Sequence, residues 1–169
     1  MNRRMLIAGA AAVIVTGGWY AFRPERLFIN QTVAETFETT ATESGAPMAV
    51  LGGSFHAVSH ESKGNATIYE AGGTRTLRLT DFETSNGPDV RIYLVAATDA
   101  SDNETVTSAG FIDLGAMKGN IGDQNYDIPA DVDLARYRAV TIWCRRFGVN
   151  FGTAPLAEAG VVASAFTVR

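Results

Sequence analysis

Soft ligands are scarce in this chain: 169 residues contain one cysteine, Cys144, and two histidines, His56 and His60. A lone thiol closes no internal disulfide, and with so few imidazoles a zinc site, which takes three or four ligands, is poorly supplied. Excess basic charge is missing too. Fourteen Lys and Arg face eighteen Asp and Glu, for a net charge of -4 and a pI of about 5.1. Binding phosphate backbones takes a clustered basic surface, so a nucleic-acid partner is excluded. The nucleophile elbow Gly-x-Ser-x-Gly, a phosphate-cradling Gly-rich loop and the His-Glu-x-x-His helix are absent. Asp81, Asp89, Asp123, Asp127, Asp131 and Asp133 fall in or beside predicted turns, where Asp bonds its own backbone, and supply no catalytic pair. The run Asp123 to Asp127 lacks the Gly and closing Glu of a calcium loop.

What is present begins with an export segment. Arg3 and Arg4 precede the apolar stretch Met5 to Phe22, closed by Trp19, Tyr20, Phe22 and Arg23. Its length lies at the lower limit for crossing a bilayer and above that of a cleavable signal core. Residues 1–22 therefore read as a signal anchor or signal peptide, the interfacial aromatics favouring an uncleaved, single-pass anchor. Positive charge holds the N-terminus inside, so the remainder is expected to face the periplasm or cell exterior, its membrane partner being the cytoplasmic or inner membrane. Asn2 to Ile7 also loosely resembles a twin-arginine signal. Residues 23–49, rich in Thr, Ala and Glu, read as a flexible tether, and residues 50–169 as one domain large enough to bury a core.

Within that domain the apolar period is two. Ala66 to Glu70 and Thr74 to Thr80 alternate around Gly72-Gly73, a hairpin signature. Val90 to Val95 is a stronger strand launched by the turn Asn86-Gly-Pro-Asp89. Further strands are expected at 54–58, 110–114, 124–128, 137–144, 149–152 and 161–168, with helix confined to a turn near Asp131 to Arg136. About nine short strands predict an all-β antiparallel sandwich or barrel, preceded by the one N-terminal membrane helix.

Export gives Cys144 its interest. Its sulfur is left to be an inert buried hydrophobe, an intermolecular partner, or a reactive thiolate or cofactor ligand. Strand alternation puts Val140, Ile142 and Cys144 on one face and Thr141, Trp143 and Arg145 on the other. Arg146 shares the parity of Cys144 and cannot turn inward unpaired, so the strand is expected to end or bulge there. That predicts a cysteine at the rim of the core, its sulfur partly reachable and its thiolate favoured by Arg145 and Arg146. The alternative is a packed, space-filling cysteine. His56 and His60, four apart, would share a side if the first strand continued, and with Cys144 could supply axial or metal ligands; otherwise they are ordinary hydrogen-bonded histidines.

A resemblance adds to this. Gly53-Ser-Phe55, the run His60 to Ile68, Asp81-Phe82, the run Asn86 to Leu94, the run Gly119 to Pro129 and the run Val140 to Ala154 together resemble the DM-thirteen domain, over most of residues 50–157. The most specific element is Trp143-Cys144 followed by Phe147, Val149, Asn150, Phe151 and Gly152. The resemblance implies an all-β fold, found beside DOMON and cytochrome-b-type modules, and an extracytoplasmic electron-transfer or redox role centred on the family cysteine, here Cys144. On that implication Cys144 cycles as a thiolate or binds haem or another prosthetic group, with His60 as a second ligand, Arg146 tuning the charge, and a separate redox protein as partner. The competing expectation is a non-redox envelope module that binds protein or glycan on its sandwich surface, with Cys144 merely packed.

Overall fold

The computed structural model describes residues 3–22, 29–37 and 46–159. The strand expected over 161–168 and much of the tether lie outside the described residues.

Residues 3–22 form one helix, α1 (Arg3–Phe22), in which side chains are described for residues 9–20. Its apolar members are exposed, Val13 and Ile14 at 73 % and Tyr20 at 80 %. Among the described residues no helix is long and apolar enough to cross a membrane.

The remainder is a two-layer β-sandwich, as the period of two predicts. Among the described residues eleven strands are formed: β1 (Thr32–Ala34), β2 (Met48–Ser54), β3 (His56–Ala57), β4 (Ser62–Ala71), β5 (Thr74–Thr84), β6 (Val90–Val95), β7 (Phe111–Ala116), β8 (Ile121–Ile128), β9 (Ala139–Cys144), β10 (Val149–Pro155) and β11 (Ala157–Glu158). One sheet runs β1-β8-β5-β4-β2-β11 and the other β3-β10-β9-β6-β7. The β4–β5 hairpin turns at Gly72 and Gly73, with φ of 56° and 82°, values that glycine adopts without strain.

Between the sheets, alternate residues meet. Ile68, Leu77 and Leu79 face Ile92, Leu94, Val140, Ile142 and Cys144 in one core. Each fully buried aliphatic contributes about 1.5 to 3 kcal/mol of transfer free energy. A second cluster lies on the outer side of the five-stranded sheet, where Tyr93, Val95, Ala139 and Trp143 meet Ala100 and Val106. Val106 belongs to α2 (Asn103–Ala109), a helix absent from the sequence expectation and capped by Asp102, whose side chain accepts from the Thr105 N–H at 2.6 Å. Conversely, Asp131 to Arg136 forms turns and no helix; Asp133 accepts from the Ala135 N–H at 2.9 Å.

Part of the expected tether is sheet. Strand β1 pairs parallel with β8, Thr32 opposite Ile121 and Ala34 opposite Asp123, the one parallel pairing among the described residues. Glu35 secures it. Its carboxylate accepts from Lys118 Nζ at 2.7 and 2.9 Å and from the Asn125 N–H at 2.7 Å, while its carbonyl accepts from Arg78. Burial alone would raise the Glu35 pKa, but these donors and the charges of Lys118 and Arg78 hold it below the ordinary carboxylate value. Residues 29–37 are thus a strap docked on the sandwich. The polar composition hid this, because the hydrogen bonds that hold the segment reach residues 43 to 90 positions away.

Candidate functional site

Cys144 is the last residue of β9, all six of whose residues are buried. It is opposite Val90 on β6 and Val149 on β10. The parity expected from sequence holds: Val140, Ile142 and Cys144 point between the sheets, Ala139 and Trp143 outward. The strand also ends where expected. Arg145 to Gly148 form an exposed turn in which the N–H groups of Gly148 and Phe147 donate to the Cys144 carbonyl at 2.9 and 3.3 Å. Gly148 has φ of 63°, the left-handed conformation that closes this hairpin.

The sulfur, however, is not partly reachable. Cys144 has 0 % exposure. An interior strand is flanked on both edges, and the six-stranded sheet covers its inner face, so the end of β9 is the end of the strand without being the edge of the core. Alternation reveals which face a residue takes, but not how deeply its neighbours cover it.

The loops around this end are tied together. The Arg145 N–H donates to the Asp89 carbonyl at 2.9 Å, and Arg145 Nε donates to the Asp89 carboxylate at 2.8 Å. Asp89 belongs to a cleft of about 250 Å³ walled by Gly87 to Val90, Met117 to Asn120, and Ile29 and Gln31 of the strap. Val90 both lines this cleft and pairs with Cys144, so the cleft ends one residue short of the cysteine. The amides at this cleft bond one another. Buried Asn120 accepts from the Gln31 N–H at 2.7 Å and donates to Asn30 and to the Thr84 carbonyl, while Asn86 donates to Asn30.

On the outward side, Trp143, the chain neighbour of Cys144, lies near Tyr93 with ring centroids 6.3 Å apart, and Tyr93 stacks on Phe111 at 4.3 Å. Burial, with Asp113 nearby, raises the Tyr93 pKa above the ordinary phenol value. Trp143 is a strand and core residue, as its place in an apolar run predicts.

The two histidines go different ways. Strand β3 stops after two residues, so His56 and His60 do not continue one strand. The ring of His60 packs at a tilt against that of Phe151, centroids 3.9 Å apart and planes 40° from parallel. His56 Nε2 lies 3.0 and 3.2 Å from the carboxylate oxygens of Asp99, and Nδ1 lies 3.2 Å from the Ala57 carbonyl. Burial pulls the His56 pKa down, but the Asp99 and Ala57 contacts outweigh it and leave it above the ordinary histidine value. Among the described residues no cluster of three or more His, Cys, Asp or Glu is placed to hold a metal ion.

Haem or another prosthetic group on Cys144 does not fit these residues. The sulfur is enclosed by core side chains, and none of the three cavities described is lined by Cys144. The Asp89–Arg145 pair joins residues 56 positions apart, and local turn chemistry at Asp89 carries no sign of it.

The chain was compared with known proteins. The family model described as electron transfer DM13 matches residues 54–156. No curated protein and no solved structure matches.

Proposed function

This chain belongs to the electron transfer DM13 family, and we propose that it is an extracytoplasmic electron-transfer domain, centred on Cys144 and held to a membrane by α1. The family membership carries the electron-transfer reading. The apolar run Met5 to Phe22, with Arg3 and Arg4 before it, supports the anchor, as does the exposure of apolar side chains along α1.

The chemistry at Cys144 follows from its solitude. With no second thiol in the chain, two-electron cycling takes one from outside: two thiols form one S–S bond, releasing two protons to solvent and two electrons to a redox partner. The outside thiol belongs to that partner or to a small molecule. Because the sulfur is enclosed, the exchange requires the 145–148 turn to part from the Asp89 loop first.

The burial of Cys144 specifically favours a second reading, an envelope module in which the cysteine is only packed and the sandwich surface binds protein or glycan. Mass spectrometry of protein exported by its native host separates the two. A Cys144 adduct or disulfide that reduction removes supports thiol cycling. Cys144 unmodified under every redox condition supports the packed module.

A further inference from the structure

We infer that the end of the sandwich bearing Cys144 rests against the bilayer, with Phe147 and Ile29 touching the membrane surface. This rests on the anchored reading above.

The strap fixes the geometry. Asn30 and Gln31 are hydrogen-bonded to Asn86 and Asn120, β1 is paired to β8, and Glu35 is held by Lys118 and Asn125. Gly119 and Gly122 pass so close that a Cβ on either would strike the backbone of Gln31 or Val33. Ile29 therefore has a set place, on the wall of the cleft that also holds Asp89 and Val90. From there only residues 23–28 lead to the end of α1 at Phe22. Fully extended, that link reaches about 25 Å. A domain of this size has a radius of gyration of about 14 Å, so a body roughly 35 Å across cannot turn its opposite end to the membrane on so short a link.

The end thereby brought to the membrane carries the apolar groups suited to it. Phe147 is 66 % and Ile29 63 % exposed. Phe147 sits in the same exposed turn as Arg145 and Arg146, and Arg145 is bonded to the Asp89 loop beside Ile29. An exposed aromatic flanked by arginines is the composition of a membrane interface. The distal end, by contrast, is the Gly72–Gly73 turn and the loop near Asp131: β5 starts there and finishes at Thr84, whose N–H donates to the Asn120 carbonyl in the cleft. Electrons would then reach Cys144 from a partner in or on the bilayer.

The test uses the full chain in phosphatidylcholine–phosphatidylglycerol nanodiscs. Nitroxides are placed through Phe147→Cys and, as control, Asp131→Cys, each in a Cys144→Ser background. Accessibility to a water-soluble nickel chelate is expected to be several-fold lower at 147 than at 131, and an insertion of Gly-Ser repeats after Glu25 should restore it. Hydroxyl-radical footprinting of unsubstituted protein gives a second readout: Phe147 should be several-fold less modified than exposed Phe111, at the distal end of β7. Equal accessibility and equal modification, in protein that is in the discs, overturns this inference alone. Protein that fails to enter discs overturns the anchor and this inference together.

Discussion

Arg145 holds Asp89 by two bonds, main chain to main chain at 2.9 Å and guanidinium to carboxylate at 2.8 Å, and so ties the turn after Cys144 to the loop before Val90, the residue opposite it. With Arg145 57 % exposed the ion pair is a surface one, worth at most about 1 kcal/mol. Its local effect is larger than its effect on global stability. Asp89→Asn is expected to shift the melting temperature little while speeding reaction of Cys144 with a small thiol reagent in native protein. In the wild type that reaction should run slowly, near the rate of local or global opening. Equal labelling rates in the two proteins would show that this clasp does not gate the sulfur.

Replacing the thiol tests its packing. Cys144→Ser puts a hydroxyl among Val140, Ile142 and the facing sheet, and should cost about 1 to 3 kcal/mol. A thermal melt reads this as a drop of several degrees. No change in melting would mean that the sulfur site admits water.

The strap should matter to stability. A chain starting at residue 46 loses the Glu35, Gln31 and Asn30 bonds and is expected to be about 2 kcal/mol less stable than one starting at residue 29. Part of the difference is acid-sensitive. Because the folded Glu35 pKa is lowered, its contribution is present above the ordinary carboxylate value near 4.5 and is lost as pH falls through the folded value. Identical denaturation curves for the two lengths at neutral pH would contradict the docking of residues 29–37.

His56 acts at the other end of the pH range. Its folded pKa is raised, so the stabilisation from Asp99 is complete below about 6.5 and is lost as pH rises through the folded value. NMR titration should place His56 above the ordinary histidine value, and Asp99→Asn should bring it down. A His56 titration unaffected by Asp99→Asn would remove the pair from the account.

The sandwich was legible because most of its strands report themselves. Leu77 and Leu79 alternate with polar residues, Val90 to Val95 forms a dense apolar run, and Gly72-Gly73 marks the hairpin between β4 and β5. Strand β1 and helix α2 were not. Thr32 to Ala34 is stabilised by parallel pairing with a strand about ninety residues away, and α2 by one buried residue, Val106, and a cap, in a segment of Thr and Ser with little helix propensity. Cys144 shows both sides of this. Its face and strand end followed from parity, whereas its enclosure depends on the placement of Val90, Val149 and the opposite sheet, which no local pattern encodes. The separation of His56 from His60 likewise depended on a chain bend after two residues of β3.

The most direct test of the central claim is a redox titration of wild type and Cys144→Ser, both exported natively and held below the melting temperature of the variant, against a buffer of reduced and oxidised glutathione that supplies the outside thiol. The account predicts a reversible redox response in the wild type that the variant lacks while remaining folded. A response of equal size in both proteins, or none in either, would contradict electron transfer centred on Cys144.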